Sequence, residues 1–131
     1  MYKNPLEAYA KIKRMTSSPR EIEAEALTVA NRKFQKCLDN WNASERPKAL
    51  KEALMFNQKL WTLFQTALAA RENPLPKELR LNILKLGKFI DSRTFQILAK
   101  PTLDKLEAIM DINTRLAETL RKKVVSGVKP D

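Results

Sequence analysis

The chain has 131 residues, a formal net charge of +10, one cysteine and no histidine. That length suits a single domain and buries roughly two-thirds of the surface its unfolded form exposes, so a core forms without staples, and 44% hydrophobic residues exclude a wholly disordered chain. Two glycines among abundant Ala, Leu, Lys, Glu, Arg and Met mark a helix former, and the lone Cys37 excludes an intramolecular disulfide framework.

Proline and capping residues then divide the chain. Asn4-Pro5 reads as an N-cap followed by proline at the first helical position, opening a short helix over 5–14. Thr16-Ser17-Ser18 breaks it, and Ser18-Pro19-Arg20-Glu21 forms a capping box for a helix from Pro19 to Trp41. Asn42-Ala43-Ser44-Glu45-Arg46 is a turn, and Pro47 starts a third helix reaching Arg71. Asn73-Pro74-Leu75-Pro76 forbids continuation, so a fourth helix covers 76–99. Pro101 opens the last, which ends near Lys123.

Apolar residues follow helical period. Leu27, Ala30, Phe34, Cys37, Leu38 and Trp41 share one side of the second helix, and Leu50, Ala53, Leu54, Leu60, Trp61, Phe64 and Leu68 one side of the third. Leu103, Leu106, Ile109, Met110, Leu116, Ala117 and Leu120 do so in the fifth. Long amphipathic helices with short connections pack as antiparallel neighbours. The expectation is an all-α single domain: a short N-terminal helix, four long antiparallel helices in a bundle over 19–123, and a frayed basic tail over 124–131.

The fourth helix carries a second stripe. Its main stripe is Leu79, Ile83, Leu86, Ile90 and Ile97; turned roughly 150° away lie Leu81, Leu84 and Phe95, set among Lys77, Lys85 and Lys88. One stripe suffices for a bundle core, so the second needs another cover: the 5–14 helix with Leu6, Tyr9 and Ile12, a second copy, or a partner.

Residues for chemistry are sparse. The absence of histidine removes the commonest general base, most triads and most zinc sites. Cys37 sits mid-stripe as a core residue, Gly87 and Gly127 stand alone without a phosphate loop, and Glu21, Glu23 and Glu25 crowd a helix start where the macrodipole favours them. No enzymatic activity and no cofactor or metal are expected. Asn57 and Asn113 fall within core stripes. Each needs a partner, because an unpaired buried amide costs about 1–3 kcal/mol. They either bond each other or a nearby carbonyl and set the register, or bond an inserted partner helix. The net charge invites an acidic partner, and Lys11, Lys13, Arg14, Arg121, Lys122 and Lys123 are candidates for phosphate contact. Met1-Tyr2-Lys3-Asn4-Pro5-Leu6-Glu7 lacks a signal peptide's apolar core, and no apolar run approaches the roughly 18 residues of a membrane span. A soluble cytoplasmic protein is expected.

The strings Thr16-Ser17-Ser18-Pro19-Arg20-Glu21-Ile22-Glu23, Glu52-Ala53-Leu54-Met55-Phe56-Asn57-Gln58-Lys59-Leu60-Trp61, Glu72-Asn73-Pro74-Leu75-Pro76 and Ile112-Asn113, in that order and spacing, resemble the FlaF family of flagellar biosynthesis regulators over residues 5–120. The basic Arg121–Asp131 tail and the strong positive charge depart from the family's pattern. The resemblance implies a cytoplasmic protein without enzymatic activity or cofactor. It would bind flagellin as a secretion chaperone, promote its synthesis and export, and oppose the repressor FlbT. On that implication the stripe of Leu81, Leu84 and Phe95 receives a terminal helix of flagellin, with Lys77, Lys85 and Lys88 meeting its acidic residues. The alternative is a post-transcriptional regulator that contacts flagellin mRNA through its basic surface; a third role is partnership with FlbT or the export apparatus.

Overall fold

A computed structural model describes residues 4–15, 18–69 and 75–125. Five helices appear there: α1 (Pro5–Met15), α2 (Pro19–Asp39), α3 (Arg46–Ala69), α4 (Lys77–Ala99) and α5 (Leu103–Val125). The Thr16-Ser17 break, Leu68 as a core side chain, the Glu72-Asn73-Pro74 turn, the Lys123 side chain and the tail from Ser126 lie outside the described residues.

Local chemistry sets the helix ends. Asn4 Oδ1 accepts the Glu7 N–H at 3.0 Å, and Ser18 Oγ accepts the Glu21 N–H at 3.4 Å with Pro19 in the first turn. Two ends differ from expectation. At the end of α2 the Asn40 N–H makes the last ladder bond to the Lys36 carbonyl at 3.2 Å, and the Asn40 side-chain amide bonds the same oxygen at 2.9 Å. Trp41 lies outside the helix, half-buried, with the Arg46 guanidinium 4.4 Å above its ring. α5 begins two residues after Pro101, with the Thr102 carbonyl accepting the Leu106 N–H at 3.3 Å. Leu103 is consequently 45% exposed and not part of the core stripe.

α2, α3, α4 and α5 form a closed ring in which each helix packs on the next and α5 returns to α2. The α2–α5 pair is antiparallel: Asn31 meets Thr114, whereas Thr28, earlier on α2, meets Arg121, later on α5. The centre of the ring holds Leu27, Phe34, Leu54, Leu60, Trp61, Ile90, Ile97, Leu106 and Ile109. Cys37 lies in the same core, where burial pushes its thiol pKa up. Gly87 lets α4 approach α3, since a Cβ there meets the Gln65 side chain. Among the described residues no helix is long and apolar enough to cross a membrane.

The position of α1 removes one of the covers open for the second stripe of α4. This helix packs on α2 and α3 and makes no packing contact with α4, so it does not cover Leu81, Leu84 and Phe95. Pro5, Ala8 and Ile12 are buried, and α2 buries a second stripe of Ile22, Ala26 and Val29 besides its bundle stripe. α3 adds the buried Phe56, with Lys33 Nζ 4.9 Å above its ring. A helix with two apolar stripes needs two neighbours' worth of cover, and α1 supplies it for α2.

Near this packing, Arg20 Nη1 lies 3.2 Å from Glu23 Oε1, each side chain only 15% exposed, aligned too poorly for a hydrogen bond. Glu23 borders a void of about 10 Å³ among Phe64, Ala67, Leu75, Ile83, Leu116 and Leu120. Burial raises its carboxyl pKa, against the opposing pull of Arg20, and raises that of the neighbouring Tyr9 phenol. A raised carboxyl pKa means the folded state holds the proton more tightly. The stabilisation is therefore full below the unfolded value of about 4.3 and is lost as pH rises through the folded value. Stability measured by urea unfolding between pH 4 and 8 should thus fall with rising pH less steeply in Glu23→Gln than in the parent. Losing the ionic partner of Arg20 shifts the variant's curve without restoring that slope; parallel curves would exclude Glu23 as the titrating group.

Candidate functional site

Two arrangements stand out, one inside the bundle and one on its surface. Inside, Asn113 Nδ2 donates to Asn57 Oδ1 at 2.8 Å and to Asn31 Oδ1 at 3.0 Å, while Asn113 Oδ1 accepts the Trp61 Nε1–H at 3.0 Å. Asn31 Nδ2 continues to the Met110 carbonyl and Thr114 Oγ1, both at 3.0 Å. Asn57 and Asn113 are fully buried, so these bonds act in a low-dielectric interior where a missing partner is costly. They tie α5 to α3 across the ring and to α2 beside it. Asn57 Nδ2 has no protein partner among the described residues.

Asn57 and Asn113 come from the sequence reading; Asn31 does not. Its signal was present, since it lies four residues after Leu27 and three before Phe34, on the α2 core stripe.

On the surface, Leu81 is 48% exposed, Phe95 68% and Leu98 44%. Lys77, Lys85 and Lys88 are exposed beside them. Leu84 is half-buried and packs against the core, so it serves both the bundle and the outer strip. Leu98 extends that strip beyond the sequence expectation. Phe89, also partly exposed, is taken by Arg93, whose guanidinium lies 4.8 Å above its ring. Among the described residues α4 packs closely on α3 and α5, and α5 packs closely on α2 and α4 while reaching α3 through Asn113. The outward positions of α5, however, are Glu107, Asp111, Thr114, Arg115 and Glu118, with Arg115 Nε 2.8 Å from Asp111 Oδ2. Leu6, Met55 and Leu103 are exposed singly on α1, α3 and α5, so among the described residues several exposed large apolar side chains on one helix occur on α4.

An open groove of about 450 Å³ runs between α2 and α5, lined by Thr28, Asn31, Arg32, Gln35, Glu118 and Arg121 among others. Met110 and Ala117 line it as well, so its walls mix polar and apolar groups. Arg121 is held there by Glu25 Oε2 at 3.3 Å and Thr28 Oγ1 at 3.2 Å, with Glu21 Oε1 at 4.0 Å, so this cation is already paired with α2 rather than presented for phosphate.

The family model described as flagellar protein FlaF matches residues 5–120. The chain belongs to the FlaF family. This places it among flagellar proteins, and the matched span contains the whole amide chain and all of α4. Arg121, the first residue of the basic tail, lies just beyond it. No curated protein and no solved structure matches this FlaF-family chain.

The amide chain yields a differential test. Asn113→Ala strands Trp61 Nε1–H and two amide oxygens, whereas Asn57→Ala strands one Asn113 N–H and removes a group that already lacks a partner. At about 1–3 kcal/mol per buried group left unpaired, Asn113→Ala should cost about 2 kcal/mol more than Asn57→Ala in urea unfolding at unchanged m-value. Equal losses would show that the bonds add nothing beyond side-chain volume.

Proposed function

We propose that this FlaF-family protein is a cytoplasmic flagellin chaperone, not an enzyme: it binds a terminal helix of flagellin before assembly and thereby supports flagellin synthesis and export. The observation that carries this reading is the outer strip of α4, where Leu81, Phe95 and Leu98 stay exposed together, whereas α3 and α5 expose single large apolar side chains, Met55 and Leu103, among the described residues. An apolar strip on a helix is the surface on which a second amphipathic helix docks, its anchors spaced at i, i+3/i+4 and i+7. Polymerisation of flagellin through such a helix is blocked while it lies there. Lys77, Lys85 and Lys88 border the strip and favour an acidic flank on the guest, which raises the association rate more than the final affinity.

The same lysines would serve direct contact with flagellin mRNA. The two readings separate on salt, because phosphate contacts make affinity fall steeply with ionic strength and burial of an apolar strip does not. The strip reading expects nuclease-resistant co-purification with flagellin that is lost for flagellin lacking its terminal helices. Leu81→Asp/Phe95→Asp should abolish capture, at least tenfold in Kd, with helical circular dichroism unchanged. Full retention of binding by that variant would clear α4 of the role. Loss of capture on nuclease treatment would favour the message.

A further inference from the structure

The spacing on the outer face of α4 is more regular than a docking strip requires. Leu81, Leu84, Lys88, Asp91, Phe95 and Leu98 follow one another at intervals of three, four, three, four and three residues, the a/d seam of a coiled coil sustained over the helix. All six lie at the surface, Leu84 and Asp91 half-buried and the rest exposed. Two apolar layers, Leu81/Leu84 and Phe95/Leu98, flank one charged layer, Lys88/Asp91.

The seam reads the same from either end. In an antiparallel pair about the middle of α4, Leu81 meets Leu98 of the other copy, Leu84 meets Phe95, and Lys88 meets Asp91, each contact occurring twice. Such an arrangement is what an isologous two-fold interface demands of a single patch. No like charges oppose along it, since Lys85 falls level with Thr94 of the other copy. We infer that the occupant of this face in the free protein is α4 of a second copy, packed antiparallel with two reciprocal Lys88–Asp91 pairs at its centre. α1 is not available for the task, because it is spent on α2 and α3.

Six seam residues per copy make an interface well short of the roughly 1,600 Å² of a standard stable complex, so the dimer is weak and reversible. It also leaves Lys77 and Lys85 without an acidic counterpart. A guest helix with an acidic flank satisfies these and displaces the second copy. The role of the dimer as a removable cover rests on the reading of α4 as a guest site; the pairing itself does not.

Sedimentation equilibrium of the full chain at low salt, without flagellin, tests the pairing. A concentration-dependent monomer–dimer equilibrium is expected. Lys88→Asp alone and Asp91→Lys alone each set like charges at the central layer and should weaken the dimer at least tenfold. The double reversal Lys88→Asp/Asp91→Lys restores opposite charges and should recover it. A chain monomeric at every concentration, a dimer indifferent to the single reversals, or a double variant no better than either single one would overturn the inference. Circular dichroism of the same samples guards against misfolding at these surface positions. Flagellin capture by the monomeric single variants is read separately, and its presence or absence bears on the guest site alone.

Discussion

Asn113 holds the bundle in one rotational setting. Its carboxamide donates twice and accepts once, reaching α2 through Asn31 and α3 through Asn57 and Trp61. Leucines and isoleucines in a helical core slide or rotate past one another at modest cost, because dispersion contacts are undirected. Amide bonds are directed, and an unmade one in the interior is penalised. With α2, α3 and α5 locked in this way, α4 is left to pack into the remaining gap between α3 and α5, presenting its outer seam to solvent. The polar groups contribute specificity of arrangement; the bulk of the stabilisation comes from the large apolar side chains around them.

The distribution of cover explains why one face of this protein is apolar and open. α2 carries two apolar stripes and has α1 over the second. α5 carries one, and its outer face is charged. α4 carries two, and among the described residues no helix lies over the second. Exposed apolar side chains scattered singly are ordinary on a soluble protein, but a seam with heptad spacing is not a scatter. Its lysines keep the face hydrated and solvent-compatible while the apolar layers wait for a partner helix.

Electrostatics divides in the same way. The basic excess of the sequence is not spread evenly in effect, since Arg20, Arg32, Arg115 and Arg121 are engaged with carboxylates on α2 and α5. Glu21, Glu23 and Glu25, which by position suit the start of a helix, are drawn into these pairs as well. On α4 the exposed Lys77, Lys85 and Lys88 stand beside the seam.

From the sequence by itself one could read five helices, their caps and the stripes that face the core. Those features are written in neighbours along the chain: Asn4-Pro5, Ser18-Pro19, the Asn73-Pro74-Leu75-Pro76 stop and the 3.6-residue period. The surplus on α4 was legible for the same reason. Tertiary structure alone decided where α1 docks, because its Ala8/Ile12 face suits any shallow apolar groove, and the one it takes is formed by α2 and α3 together. It also decided that Asn31 joins Asn57 and Asn113, that Leu84 is shared between core and seam, and that Leu103 is left outside. Each of these depends on the rotation of one helix against another, which no local pattern encodes.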